Sequence, residues 1–286
     1  MMWFNGAITE HSEGRFDLSD RGLLLADGVF ETVLVLDGRA VLLDEHLRRL
    51  ASGCHQLQIS WDPAIAAKAV NELVAAAPGD AVIRVTVTRG QGPRGLLPSA
   101  HARATVFASR AEWQLQLAFA SRTLALSPIR RNASSPLSRI KSLAYLDNVL
   151  ALMDAQKQGA DDALLLNAEG HVACSSMANV FVLQGDTMLT PSLQTGVLDG
   201  ITRGLVIRLA PLAGLTVREA AFDVEQLRRA DAVFLTNSVR LIMPVSHFEN
   251  WCPPEAGNGD LTRLMNLVQQ ELGLHHRTGS ILEAGR

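Results

Sequence analysis

Lys141 offers an amine that could do covalent chemistry, although by its setting alone a solvated surface lysine is the commoner reading. It ends a polar stretch, Ile129 to Ile140, and precedes Ser142 to Lys157, whose apolar spacing predicts a helix. A lysine amine at such a junction can be aimed into a cleft, where it can add to a carbonyl and later act as a base. Tyr145, the sole tyrosine, follows four residues later and would share a face of that helix. Arg49 falls on another predicted helix, where a planar guanidinium can clamp a phosphate or make a surface salt bridge. Gly196 and Gly200 allow tight turns leading into Ile201 and Thr202, and a helix starting there offers free N–H groups and a positive dipole end to an anion. An ordinary capped helix would read the same way. Thr236 ends a predicted strand.

Other chemistries find less support. Cys54, Cys174 and Cys252 are odd in number and lack metal-ligand spacing, and the histidines form no HExxH pattern. No structural metal is expected, and unpaired cysteines suit a reducing, cytoplasmic setting. His275-His276-Arg277 reads as a tail. A net charge of −3 gives no reason to expect nucleic acid or an anionic membrane as partner. No apolar run approaches the roughly 18 residues of a membrane span, and Met1 to Glu10 lacks a signal-peptide layout. With 48% hydrophobic residues in a chain of 286, a sizeable core in one or two domains is expected.

The elements that would position these residues are legible in outline. Val29 to Leu36 predicts a strand, Asp37-Gly38 a hairpin turn and Arg39 to Leu43 the returning strand. Asp44 is expected to cap a helix to about Leu57 with Leu47 and Leu50 inward, and Asp62-Pro63 to open a second helix. Ala81 to Thr88 and Ala104 to Ser109 read as strands, and Leu115 to Ser127 as another. The helix Ser142 to Lys157 is expected to bury Leu143, Leu146, Val149, Leu150 and Met153. Beyond it come the strands Ala163 to Leu166, Gly170 to Val172, Asn179 to Leu183 and Met188 to Thr190, then helices near Thr202 to Ala213 and Leu261 to Leu272. The reading is α+β: a small domain over 1–112, a linker and first strand over 113–128, and a larger domain over 129–286.

A series of local motifs goes further. Ser19-Asp20-Arg21-Gly22, Asp27-Gly28-Val29-Phe30-Glu31-Thr32 and Asp44-Glu45-His46-Leu47-Arg48-Arg49-Leu50 are followed by Ile140-Lys141-Ser142-Leu143 and Asn148-Val149-Leu150-Ala151. Gly159-Ala160-Asp161-Asp162-Ala163, Asn179-Val180-Phe181, Gly200-Ile201-Thr202-Arg203, Thr236-Asn237-Ser238 and Ile242-Met243-Pro244-Val245 come next. In this order they resemble the class IV aminotransferase family of pyridoxal 5′-phosphate (PLP) enzymes, fold type IV. That family includes branched-chain and D-amino acid aminotransferases and 4-amino-4-deoxychorismate lyase. The resemblance implies a two-domain fold like that of D-amino acid aminotransferase, a small amino-acid-like substrate, and a homodimer whose active site lies between domains. It implies that Lys141 holds PLP as a Schiff base and is catalytic. It also implies cofactor contacts for Arg49, Tyr145, Asn179, Ile201, Thr202 and Thr236, and substrate contacts for Glu31 and Arg94.

One position departs from the family pattern. Where Gly-x-Val-x-Glu is expected, the chain reads Gly170-His171-Val172-Ala173-Cys174, so Cys174 takes the place of the glutamate that bonds the pyridine nitrogen. A neutral thiol supports a protonated ring less well than a carboxylate does. Three readings stay open: an unprotonated ring that favours elimination over transamination, a Cys174 thiolate held by the pyridinium itself, or a weakened or repurposed relative. Arg89-Gly90-Gln91-Gly92-Pro93-Arg94-Gly95-Leu96 and Thr236-Asn237-Ser238 look more like the lyase. The expectation is therefore pyruvate elimination from aminodeoxychorismate to give 4-aminobenzoate. A transaminase of D-amino acids, branched-chain amino acids or amines is the alternative, and a non-catalytic PLP-binding relative stands behind both.

Overall fold

The computed structural model describes residues 1–9, 16–254, 259–274 and 276. It divides into two compact units, one of residues 1–114 with 140–145 and one of 115–139 with 146–286. Lys141 and Tyr145 thus belong with the N-terminal unit.

The N-terminal unit is built on β1 (Met2–Phe4), β2 (Ala7–Thr9), the short helix α1 (Arg21–Leu25), β3 (Gly28–Leu36), β4 (Arg39–Ala40), the helices α2 (Leu43–Gln56) and α3 (Ala64–Ala75), β5 (Ala81–Thr88) and β6 (Thr105–Glu112). Its strands form one sheet in the order β2-β1-β6-β5-β3-β4. Asp37 and Gly38 both take positive φ, as a two-residue hairpin between β3 and β4 requires. β4 is shorter than the strand expected over 39–43, because the chain turns into α2 at once. The N-cap of α2 is Leu42 in left-handed geometry, and Asp44 lies in the first turn, where it complements the helix dipole instead of capping it. Apolar residues of α2, α3, β3 and β5, among them Leu50, Cys54, Val70, Leu73, Ile83 and Val85, form the core, and Ile140 joins it.

The C-terminal unit contains β7 (Arg122–Arg131), α4 (Leu146–Lys157), β8 (Asp162–Asn167), β9 (Val172–Ser175), β10 (Asn179–Gln184), β11 (Thr187–Thr190), α5 (Ile201–Leu209), β12 (Thr216–Glu219), α6 (Val224–Arg228), β13 (Ala232–Asn237), β14 (Leu241–Phe248) and α7 (Gly259–Glu271). Its sheet runs β12-β11-β10-β13-β14-β7-β8-β9, and β9 pairs back onto β10, so six strands close into a ring. The strand expected over 115–127 begins later, after a 3-10 turn at Leu115–Leu117. It also runs on past Pro128, which has no N–H for the ladder; the register against β8 shifts between Leu126 and Arg130 to accommodate it.

The helix after Lys141 differs most from expectation. It starts at Leu146, because residues 141–143 pair with β3 instead of coiling. It buries Ala151 and Ala155, while Leu146 is 76%, Val149 47%, Leu150 53% and Met153 49% exposed. The apolar stripe therefore faces away from this unit's own core, and the small alanines are what allow α4 to lie close on β7 and β8. Among the described residues no helix is long and apolar enough to cross a membrane, and no cluster of metal-ligating side chains occurs.

Candidate active site

In the N-terminal unit, Lys141 is placed by its own backbone. Phe30 N–H donates to Lys141 O at 2.9 Å and Leu143 N–H to Gly28 O at 3.0 Å, so the segment docks alongside the start of β3. Glycine at 28 is required for that approach: a Cβ there would lie 2.5 Å from Val87 O and 2.9 Å from the Leu143 side chain. Lys141 Nζ, partly buried, donates to Tyr145 Oη at 3.1 Å and sits 4.4 Å from the centre of the Phe30 ring. Phe30 meets Tyr145 edge-to-face at 5.1 Å. Lys141 and Tyr145 therefore meet as expected, but through an extended turn and not along a helix. Among the described residues no carboxylate pairs with Nζ, which keeps the amine available for chemistry.

Arg84 was not foreseen. Its guanidinium lies 3.5 Å over Phe30, and burial holds it below the usual arginine range against the opposing pull of Tyr145. The only signal for it is a charged residue in the otherwise apolar run Ala81-Val82-Ile83-Arg84-Val85, which an alternating strand pattern absorbs as a solvent-side residue.

Glu31, on β3, is 1% exposed and faces α2, where His46 and Arg49 are one turn apart on the same side. Arg49 donates from Nε to one carboxylate oxygen at 2.7 Å and from NH2 to the other at 2.8 Å, while His46 Nδ1 lies 2.6 Å from the second oxygen. Burial would raise this carboxyl, but Arg49 and then His46 outweigh it and bring it down to about 2. Glu31 is thus enclosed by protein partners. Arg94 lies exposed on a loop whose carbonyls at Gly95 and Leu96 accept from Arg21 at 2.9 and 2.7 Å.

In the C-terminal unit, Asn179, Gly200, Ile201, Thr202 and Thr236 converge. Asn179 opens β10 opposite Thr236 of β13. Its amide donates to Leu198 O at 2.8 Å, and its Oδ1 would be 2.0 Å from any Cβ at position 200. Only glycine can stand there, so α5 begins against Asn179 with no side-chain cap on its first N–H groups. Thr236 Oγ1 is buried and has no hydrogen-bond partner among the described residues. A free hydroxyl and uncapped helix N–H groups on neighbouring elements suit an anion with several oxygens, as a phosphate has. Within this unit the residues present therefore fit the phosphate group of PLP.

Cys174 lies on β9 between Leu165 and Asn179 in the ladders and is 8% exposed. Burial pushes its thiol up, with Arg131 opposing and Asp162 adding to the rise. Arg131 spends its guanidinium on Gly196 O at 3.1 Å and Ser138 O at 3.0 Å. From the protein's own groups alone, the thiol is thus favoured in its neutral form.

Comparisons with known proteins identify the family. The chain belongs to the class IV amino-transferase family, whose model matches residues 28–248. An aminodeoxychorismate lyase of Bacillus subtilis is 29% identical over 87% of this chain and 87% of its own. A D-alanine aminotransferase of Bacillus licheniformis is 30% identical over 93% of this chain and 95% of its own. The crystal structure of 4-amino-4-deoxychorismate lyase from Pseudomonas aeruginosa matches with a TM-score of 0.84 at 28% identity, covering 95% of this chain and 99% of that one. The chain is a PLP-dependent enzyme with the fold of that family.

Proposed function

We propose that this enzyme is a lyase of the 4-amino-4-deoxychorismate type, releasing pyruvate and 4-aminobenzoate. The observation that carries the preference is Cys174, a buried thiol whose titration is pushed up by burial. It supplies no negative charge to a ring nitrogen, which weakens transamination more than elimination. Homologues of similar identity include both lyase and transaminase, so the choice rests on this site chemistry.

When bound through the Lys141 amine, PLP supplies an electron sink for charge developing on the carbon beside the substrate amine. The phosphate is assigned to Thr236 Oγ1, to the N–H groups of Ile201 and Thr202, and to Arg49, with Asn179 holding the loop ahead of α5. Glu31, expected from the resemblance to touch substrate, is assigned instead to orienting Arg49, since protein donors take both its oxygens. Tyr145 Oη keeps Lys141 Nζ in place. Displaced by the substrate's own amine, the freed Lys141 amine would take the proton from the ring carbon bearing that amine. The C–O bond to the enolpyruvyl group breaks, the departing enolate gains a proton to become pyruvate, and the ring becomes aromatic. Arg94 is assigned to a substrate carboxylate. A homodimer belongs to the same reading, and light scattering that showed a monomer would remove it.

The test is an absorption spectrum of protein reconstituted with PLP, followed by D-alanine and then by enzymatically made aminodeoxychorismate. A stable cofactor band, with pyruvate appearing only from aminodeoxychorismate, supports the lyase. A band shift to the pyridoxamine form with D-alanine makes the enzyme a transaminase. A cofactor band inert to both points to a binding protein.

A further inference from the structure

The loop that carries Arg94, residues 90–97, follows β5 in the N-terminal unit and is tied down unevenly. Its base is held by main-chain bonds, from Arg21 N–H to Gly90 O at 2.9 Å and from Gly92 N–H to Ser19 O at 3.3 Å. Its tip has no such support: Leu96 and Leu97 are 83% and 85% exposed, so no apolar burial fixes it. A segment of that kind opens easily. What fastens the tip is one side chain. Arg21 NH1 donates to Gly95 O at 2.9 Å and NH2 to Leu96 O at 2.7 Å, the two carbonyls that follow Arg94. The loop also lies against the Arg21 stem, since a Cβ at position 92 would stand 2.8 Å from Arg21 Cδ. Gly95 takes a φ of +112°, open to glycine without strain.

The guanidinium is fixed from behind. Arg21 is buried, and its Nε donates to Asp27 Oδ2 at 2.8 Å. Arg89 holds Asp27 through both oxygens, at 2.7 and 2.9 Å, and also bonds the carbonyls of Leu57 and Gln58. Burial would raise the Asp27 carboxyl, but Arg89 and then Arg21 keep it below its usual range. The roles therefore divide. Arg89 and Asp27 join parts of the fold without help from Arg21, whereas two of the three Arg21 side-chain donors serve only the loop. A planar fork can meet three acceptors at once; a lysine ammonium in that place cannot.

The base of this loop adjoins the Lys141 segment. Thr88, the last residue of β5, pairs with Gly28, and Gly28 O accepts from Leu143 N–H. Loop and lysine segment thus meet at one end of the N-terminal sheet.

We infer that Arg21 is a positioning residue: it fixes the tip of loop 90–97 and so sets how Arg94 is presented to a substrate carboxylate. This rests on the assignment of Arg94 made above; it does not depend on whether elimination or transamination follows.

Trypsin reads the loop directly, because it cleaves after Arg94, and mass spectrometry identifies the cut between Arg94 and Gly95. In the PLP-loaded enzyme, Arg21→Gln and Arg21→Lys should each be cut there about tenfold faster than wild type, with Tm and PLP content unchanged. In pyruvate release from aminodeoxychorismate, both should raise KM about tenfold and leave kcat within about twofold. Arg94→Gln should raise KM similarly, and the double variant with Arg21→Gln no further than Arg94→Gln alone. The inference is overturned if Arg21→Gln is cut at the wild-type rate, if Arg21→Lys keeps wild-type resistance and KM, or if the two substitutions add. Loss of Tm and PLP together in both Arg21 variants overturns it as well, by making Arg21 a structural cation. Failure of the Arg94 reading looks different: Arg94→Gln then keeps the wild-type KM while trypsin still separates the Arg21 variants from wild type. Failure of the lyase reading gives no pyruvate from any form, with the difference in trypsin cleavage intact.

Discussion

Replacing Glu31 by Gln isolates the buried charge cluster of the N-terminal unit. In wild type this carboxyl is brought from an ordinary 4.5 down to about 2 by Arg49 and His46, against the opposing effect of burial. At about 1.4 kcal/mol for each tenfold change in proton affinity, that depression corresponds to about 3 kcal/mol of folding stability at pH 7. The sign follows from the folded state binding the proton more weakly than the unfolded state. The stabilisation is complete above the unfolded value of 4.5 and is lost as pH falls toward about 2. Glu31→Gln has nothing to titrate, so the stability gap between wild type and variant should be about 3 kcal/mol at pH 7, should narrow by about 1 kcal/mol at pH 4 and by about 2 at pH 3. Urea unfolding of both proteins, run in parallel at each pH, gives the gap directly, and taking the difference cancels carboxylates the two share. A gap that stays constant between pH 7 and pH 3 would refute the assignment of the depressed titration to Glu31. A gap near zero at pH 7 would show that Arg49 and His46 find equivalent partners without the charge.

Other substitutions probe the proposed site residues of each unit. Lys141→Ala should abolish fixation of PLP to the chain by borohydride, read by mass spectrometry; fixation at another lysine would show that the wrong amine has been chosen. Thr236→Val removes a hydroxyl with no protein partner, so Tm should hardly change while PLP dissociation rises by about tenfold, measured by fluorescence titration. Unchanged PLP affinity would take Thr236 out of the phosphate cradle. Cys174→Glu should raise the rate of the transamination half-reaction with D-alanine if the missing carboxylate limits it, and an unaltered rate in a folded variant would show that the pocket has adapted to the thiol.

How far the sequence carried depended on whether local chemistry or distant pairing decided a feature. Strands such as Ala81–Thr88, the Asp37-Gly38 turn and the glycine-bracketed start of α5 follow from rules that act over a few residues, and all were legible. Lys141 was singled out by the ordered family motifs and not by its setting, and its meeting with Tyr145 was foreseen. Their geometry was not, because Leu143 and Leu146 mimic a helical stripe, while hydrogen bonds to Gly28 and Phe30, more than a hundred residues earlier, hold the segment extended. The exposed face of α4 was misread for a related reason: periodicity shows that a stripe exists but not which body it faces. Arg84 was missed because one arginine in a strand looks like any solvated charge. Only the Phe30 ring beneath it sets it apart.

The ring of strands in the C-terminal unit has a consequence for how the chain is made. β7, which opens the barrel, is a parallel neighbour of β14, with Arg122 opposite Val245. Its other neighbour, β8, is synthesised soon afterwards, but the strand that completes its second ladder emerges from the ribosome more than a hundred residues later. Until then β7 and β13 each present an open edge, and the ring cannot close. A nascent chain halted before Leu241 would expose two strand edges at once. Aggregation of such stalled chains should therefore be governed by the last strand to arrive rather than by the apolar content of those already made.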